Sequence, residues 1–308
     1  MKFLKKSGNK NKGDLLGIIL VLSACAIYSA SFVLNKFFVV KIDPFIFTTI
    51  RAFLIGVAFL IISLLACKFN IKKFKKVSWG KLIMVGIIGG GAPFLLFFLG
   101  LRETTAGRAA FLYSTLPMYA ILLSSLFLKE KIKGKQVIII LSMIAGAYLL
   151  EFSNASLKMR MGDFLILSAA ILWAVENTII KKAKIDEENP EVLIFGRMFF
   201  GSLMLIAITY YAFGLEPLFA IEKIQWGYIL ISSALLCIYS LLWYHGIKYL
   251  NPSKATVIML ASPIMILIIS SIFLKENPSI IQILGSAIII AGAYIAVKTK
   301  NESRMIEN

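Results

Sequence analysis

Histidine occurs once in the 308-residue chain, cysteine three times, and aspartate and glutamate together only 16 times. A metal centre or a hydrolytic constellation needs several such groups close together. The chain has no H-E-x-x-H and no Cys/His grouping, and its one histidine, His245, stands alone. The sequence therefore offers no metal ligand set, no cofactor motif and little support for a membrane-embedded enzyme. The phosphate-binding pattern G-x-x-x-x-G-K-[ST] is missing too, so any transport must draw on a gradient or on exchange. Cys25, Cys67 and Cys237 all fall in apolar runs. An odd number of cysteines there argues against a disulfide framework, and they serve as small apolar residues. Most loops are short, which leaves little surface for a receptor or an assembly subunit.

What the chain has in abundance is apolar length. It is 59% hydrophobic, with a mean hydropathy of +0.86. Runs of about 20 apolar residues, each able to cross a bilayer core of about 30 Å, lie at 14–35, 44–67, 80–101, 105–128, 136–152, 162–181, 190–213, 225–248, 253–274 and 279–297. They are too long and too continuously apolar for barrel strands. The expectation is an all-α integral membrane protein of ten transmembrane helices. The basic start before the first run could be read as a signal peptide, but the run continues past Cys25 to Val33.

The net charge of +17 follows the loops. With the N-terminus placed in the cytoplasm, 23 Lys and Arg fall on the inner side, 8 on the outer side and 2, Arg51 and Arg197, inside spans. That bias over short loops is the positive-inside pattern. It predicts a multi-pass plasma-membrane protein with both termini cytoplasmic. The positive charge meets anionic membrane lipid and requires no nucleic acid.

The chain is also duplicated. Ser124–Tyr148 (SSLFLKEKIKGKQVIIILSMIAGAY) and Ser270–Tyr294 (SSIFLKENPSIIQILGSAIIIAGAY) match at an offset of 146, as do Pro117 with Pro263 and Gly100 with Gly246. At an offset of 145, Tyr28 falls on Trp173 and Ser31 on Glu176. The expected organisation is a basic tail at 1–13, a five-helix repeat at 14–152, a second at 153–298 and a tail at 299–308. Five spans per repeat turn the second over relative to the first, the inverted-repeat layout of secondary transporters, whose sites lie between the repeats.

Candidate site residues follow from that layout. Tyr28, Ser31 and Asn35 share a helical face with Phe32; Trp173, Glu176 and Asn177 share one with Ile180. Arg51 and Arg197 each follow a proline, Pro44 or Pro190, by seven positions. Intramembrane charges mark function or a buried partner; the bland alternative is that each Arg snorkels or tethers loop carbonyls. A Glu176–Arg197 pair fits their depths. It either braces the bundle or leaves Glu176 to bind a proton or a cationic group. Glu103 is the acidic residue at hand for Arg51. Gly90 and Pro93, in Gly89-Gly90-Gly91-Ala92-Pro93, and Pro117 and Pro263 at mid-span are expected to break their helices. Tyr113 and Tyr119 bracket the Pro117 break, and Tyr239 and Trp243 share a face of span eight. His245 is read as structural, with proton relay as the alternative. Spans five and ten, with little polarity, are expected at the periphery, where a homodimer face is an open reading.

Taken together, the Tyr28 and Trp173 stretches, the doubled Pro-to-Arg spacing, the doubled mid-span prolines and LKE at 128–130 and 274–276 followed by AGAY resemble the drug/metabolite transporter superfamily, EamA-type. Tyr28-Ser29-Ala30-Ser31 departs from the Trp-Gly-polar pattern common in that family. The resemblance implies a 5+5 bundle, a central cavity lined mainly by the first four helices of each half, and alternating access. It also implies Glu130 and Glu276 as helix-end anchors. Export of amino acids or related small metabolites is the reading it favours, coupled to protons or to a counter-substrate. Efflux of cationic amphiphiles and metabolite uptake are the alternatives.

Overall fold

The computed structural model describes residues 2–66, 78–128, 134–151, 160–182, 190–250, 255, 258–259, 261–281, 283–292 and 294. Among the described residues there is helix and turn and no strand. Eight helices run in order: α1 (Lys2–Lys41), α2 (Pro44–Ala66), α3 (Trp79–Glu103), α4 (Ala106–Phe127), α5 (Gly134–Glu151), α6 (Met161–Lys182), α7 (Pro190–Phe213) and α8 (Lys223–Tyr249). Two shorter apolar helices follow, α9 (Ser262–Phe273) and α10 (Ile283–Gly292). Seven of these, α1 to α4 and α6 to α8, carry apolar stretches of 20 to 27 residues, enough to cross a membrane. The chain is thus a multi-pass helical membrane protein.

Helix boundaries follow the sequence closely. α1 runs beyond the expected end at residue 35 because Phe37-Phe38-Val39-Val40 continues the apolar face and nothing breaks the helix before Asp43-Pro44. Pro44 then opens α2, where its missing N–H costs nothing. The Asp43 carboxylate accepts from the Phe45 backbone N–H at 2.9 Å, capping that start. α4 breaks at Ser114-Thr115, between Ala106–Tyr113 and Leu116–Leu128, as the proline at 117 requires.

α3 departs most from an ideal helix. Its middle, Gly86–Gly91, is a π-helical turn, and Pro93 sits in the first turn of the α-helix that resumes at Ala92. Pro93 has no N–H to give the carbonyl four residues back, that of Gly89. The glycines of this turn seat directly on α6 and α7. A Cβ on Gly89 would meet the Glu176 carboxylate, one on Gly90 the Arg197 carbonyl, and one on Gly91 the Met204 side chain. The bare glycine backbone is what lets α3 pack this closely.

α2 packs along α7, α1 along α8, and α3 along α6; α9 touches both α1 and α4, and α4 touches α6. This pairing is unchanged when each helix of the first half is exchanged with its counterpart five helices on. α5 and α10 meet where Gly146 approaches the Gly285 carbonyl and Ile289. Ile138, Leu141, Ile144 and Leu284 are exposed, so this pair lies at the periphery.

One end of the bundle is cross-linked by polar contacts. Lys36 Nζ donates to the Leu101 and Arg102 carbonyls at 2.9 and 2.8 Å, closing the C-terminus of α3. Glu276 accepts from the backbone N–H groups of Ala106 and Gly107 at 2.7 and 3.2 Å, anchoring the start of α4 from beyond α9. Glu130 lies outside the described residues. Arg108 grips buried Asp163 through Nε and Nη2 at 2.8 and 3.0 Å, with Thr104 Oγ1 donating to the same carboxylate at 3.2 Å. Arg108, one of the 8 basic residues that the charge count places on the outer side, is buried rather than solvated in a loop. The signal was its place among AGRAAFLY, where a solvated arginine has no room.

The helix seams set a stability prediction. Gly201→Ala would drive a Cβ into the Gly90 backbone and is expected to cost about 1–3 kcal/mol by overpacking, seen as a lower melting temperature in detergent. Gly80→Ala, with nothing within 4 Å, leaves the melting temperature where it was or slightly above.

Candidate functional site

A cavity of about 270 Å³ lies between α1, α2, α3, α4, α6, α7 and α8. Nine of the residues singled out from the sequence line it: Tyr28, Ser31 and Asn35 from α1, Arg51 from α2, Tyr113 from α4, Trp173 from α6, Arg197 from α7, and Tyr239 and Trp243 from α8. The periodicity argument found these faces because a helix in a bundle turns one stripe inward.

Other expectations fall elsewhere. Asn177 is exposed and does not line the cavity, although it follows Trp173 by four positions on α6. Tyr119 packs with Met118, Ile121, Leu122 and Ile140 towards α5. Gly90, Pro93, Pro117 and Pro263 are not wall residues; the glycines and prolines shape the helices around the cavity. His245 is exposed, with Nδ1 at 2.8 Å from the Leu241 carbonyl, one turn back. Glu103 does not reach Arg51. It accepts from Arg102 Nε at 3.2 Å on the exposed end of the bundle.

The largest group missed is aromatic. Phe94, Phe97 and Phe98 from α3 form one wall, and their i, i+3, i+4 spacing after Pro93 was the available signal. Phe94 meets Trp173 edge-to-face with ring centres 5.1 Å apart, and Tyr113 meets Trp173 at 5.2 Å. Tyr28 and Tyr239 close the opposite side at 5.4 Å. Such pairs fix one another's orientation.

The two arginines are held differently. Arg197 Nη2 lies 2.9 Å from Glu176 Oε2, and its Nε donates to the Gly89 carbonyl at 3.4 Å. Trp173 Nε1 donates to that same carbonyl at 3.1 Å. The acceptor freed by Pro93 is thus taken by two side chains. Glu176 is 2% exposed and lies behind Arg197, outside the cavity wall. Its other oxygen, Oε1, is buried with no hydrogen-bond partner among the described residues. Arg51 has no carboxylate among the described residues. Its Nε donates to Ser232 Oγ at 2.7 Å, Ser232 Oγ donates to Asn35 Oδ1 at 2.5 Å, and Asn35 Nδ2 donates to Ser31 Oγ at 3.4 Å. Both guanidiniums lie beside the Phe94 ring, with carbons 5.9 Å (Arg51) and 5.4 Å (Arg197) from its centre.

The site is thus an aromatic chamber enclosed by helices of both halves, with two cationic groups on its wall. No group of three or more His, Cys, Asp or Glu that could hold a metal occurs among the described residues. The family model for EamA-like transporters matches the chain twice, over residues 15–152 and 160–298. The chain belongs to the EamA-like transporter family. Two distant relatives span nearly its whole length. The Bacillus subtilis protein named uncharacterized transporter YetK is 24% identical over 98% of this chain and 93% of its own. An Archaeoglobus fulgidus protein, also named an uncharacterized transporter, is 26% identical over 92% of this chain and 99% of its own. A solved crystal structure matches with a TM-score of 0.61 at 17% identity, covering 97% of this chain and 99% of that one; at that identity the likeness is one of fold.

Removing Arg197 strands a carboxylate that is 2% exposed. Arg197→Ala is therefore expected to cost about 3–5 kcal/mol, while Arg102→Ala, which breaks only exposed contacts to Asp43 and Glu103, stays within about 1 kcal/mol. Thermal unfolding of the two variants in detergent measures the contrast.

Proposed function

We propose that this EamA-like transporter is a secondary transporter that exports amino acids or related small polar metabolites across the plasma membrane by alternating access. The observation that carries the reading is the cavity walled by helices of both halves, with aromatic rings for the body of a substrate and guanidiniums for its polar head. In this proposal the protein has ten spans in a 5+5 inverted repeat, with both termini cytoplasmic. The positive-inside bias of the loops supports the sidedness. Helix pairing that survives exchange of the two halves supports the repeat. Alternating access then needs only that the two halves rock about the chamber.

Glu176 is proposed as the coupling group. Its Oε2 is held by Arg197 while its Oε1 is buried without a hydrogen-bond partner among the described residues, so a proton on Oε1 changes the charge behind the cavity wall. Two arginines on the wall argue against cationic amphiphiles as substrates, since like charges disfavour one another at close range.

The first test is a metabolite profile of the medium from cells carrying the wild type, Glu176→Gln at matched membrane level, or empty vector. One compound class enriched only with wild type is the expected result. Glu176→Gln is expected to abolish coupled transport with the folded protein retained. Wild-type rates for that variant from about pH 5 to about pH 8, the range over which a coupling group must titrate, would reduce Glu176 to a brace. No enrichment with wild type overturns export and moves the reading to uptake.

A further inference from the structure

We infer that Arg51 is the anchor for a carboxylate, and that the chamber takes a small organic acid with a flat apolar body. The inference deepens the transport proposal and rests on it. Its ground is a difference between two arginines that the duplication makes equivalent. Arg197 already has its carboxylate in Glu176. Arg51, 4% exposed, has a hydroxyl on Nε and no carboxylate among the described residues. Its neighbours cannot supply more. The Ser232 hydrogen is committed to Asn35 Oδ1, and the Asn35 amide nitrogen points to Ser31. This chain fixes the guanidinium by its Nε edge, and its two terminal amino groups have no acceptor among the described residues. Those two donors have the spacing of a carboxylate's oxygens and bind one in a fork.

The rest of the chamber agrees. Among the described residues no acidic side chain lines it, so a substrate ammonium would find no counter-charge, which narrows the proposed range from amino acids to related acids that carry no ammonium. Two guanidiniums against the single carboxylate of Glu176 leave the site net positive by one, and a buried net charge of that sign calls for an anion. The Phe98 ring centre lies 5.1 Å from the Arg51 guanidinium and the Phe94 ring is near both arginines, so a flat body entering behind its carboxylate meets aromatic rings. The volume of about 270 Å³ is just under the range of about 300–1,000 Å³ that holds drug-sized ligands, which fits a compound of one ring.

The test is binding to the purified full-length protein, read by thermal shift and calorimetry. It uses three probes of like shape: 3-phenylpropanoate, its neutral amide, and phenethylamine. The expected result is that phenylpropanoate raises the melting temperature of wild type and the other two do not. Arg51→Gln, checked for folding by its unliganded melting curve, is expected to weaken phenylpropanoate binding at least roughly tenfold, as loss of a charge-assisted fork requires. Ser232→Ala, a milder change that frees the guanidinium to wander, should weaken it several-fold. Glu176→Gln removes the negative charge behind Arg197 and should tighten it, which a bracing role for the arginines would not produce. Binding of phenethylamine or the amide as tight as that of phenylpropanoate overturns the inference, and so does unchanged binding by Arg51→Gln. If the medium of wild-type cells is enriched in a neutral or cationic compound while phenylpropanoate shifts nothing, the carboxylate site falls and the transporter stands.

Discussion

Everything at the centre of this bundle depends on how closely α3 can approach α6 and α7. The Glu176 carboxylate occupies the space where residue 89 would carry a Cβ, and the Arg197 carbonyl occupies that of residue 90. The ion pair between them is therefore built on the absence of two side chains. A buried pair holds only where its geometry is good and its other polar atoms find partners. Arg197 finds one in the Gly89 carbonyl, which Pro93 has left free. Glycine, proline and charge thus form one device, in which each residue is needed for the others to fit.

The duplication repeats the scaffold and changes the chemistry. Arg51 and Arg197 follow Pro44 and Pro190 by the same spacing, and each reaches across to the other half. Arg51 reaches α8 and, through Ser232, α1; Arg197 reaches α3 and α6. What meets them differs. Where the first half has Ser31, the second has Glu176. A duplicated sequence consequently surrounds the cavity with charges that are not duplicated, so its two ends differ.

The fold class was legible because apolar length and period survive in any bundle, and the inward faces of α1, α6 and α8 came with them. Depth along the membrane was legible as well: it paired Glu176 with Arg197. Direction around a helix was less so. Asn177 shares the Trp173 stripe by spacing yet is exposed, because a stripe about 100° wide includes residues at its edges that clear the neighbouring helix. Glu103 matched Arg51 in depth and still pairs with Arg102, since depth says nothing about which neighbour lies across the gap. The Arg108–Asp163 pair joins residues 55 apart on different helices, and no local pattern encodes that meeting.

The π-helical turn in α3 has a consequence for angles. An α-helix advances about 100° per residue, so twelve residues separate Leu82 and Phe94 by about 120° around the axis. A π bulge absorbs one residue, which reduces that separation to about 20°. Phe94 accordingly packs in the same cluster as Leu82 and Val85 while its ring still reaches both guanidiniums. α3 is two helices on one axis, out of phase by a single residue. Annealing that slip would keep the helix's length nearly the same and swing the Phe94 ring by about 100°, away from Arg51 and Arg197. The ring that both positive charges touch is thus placed by a count of residues in a turn that has no side chains of its own at Gly89, Gly90 and Gly91.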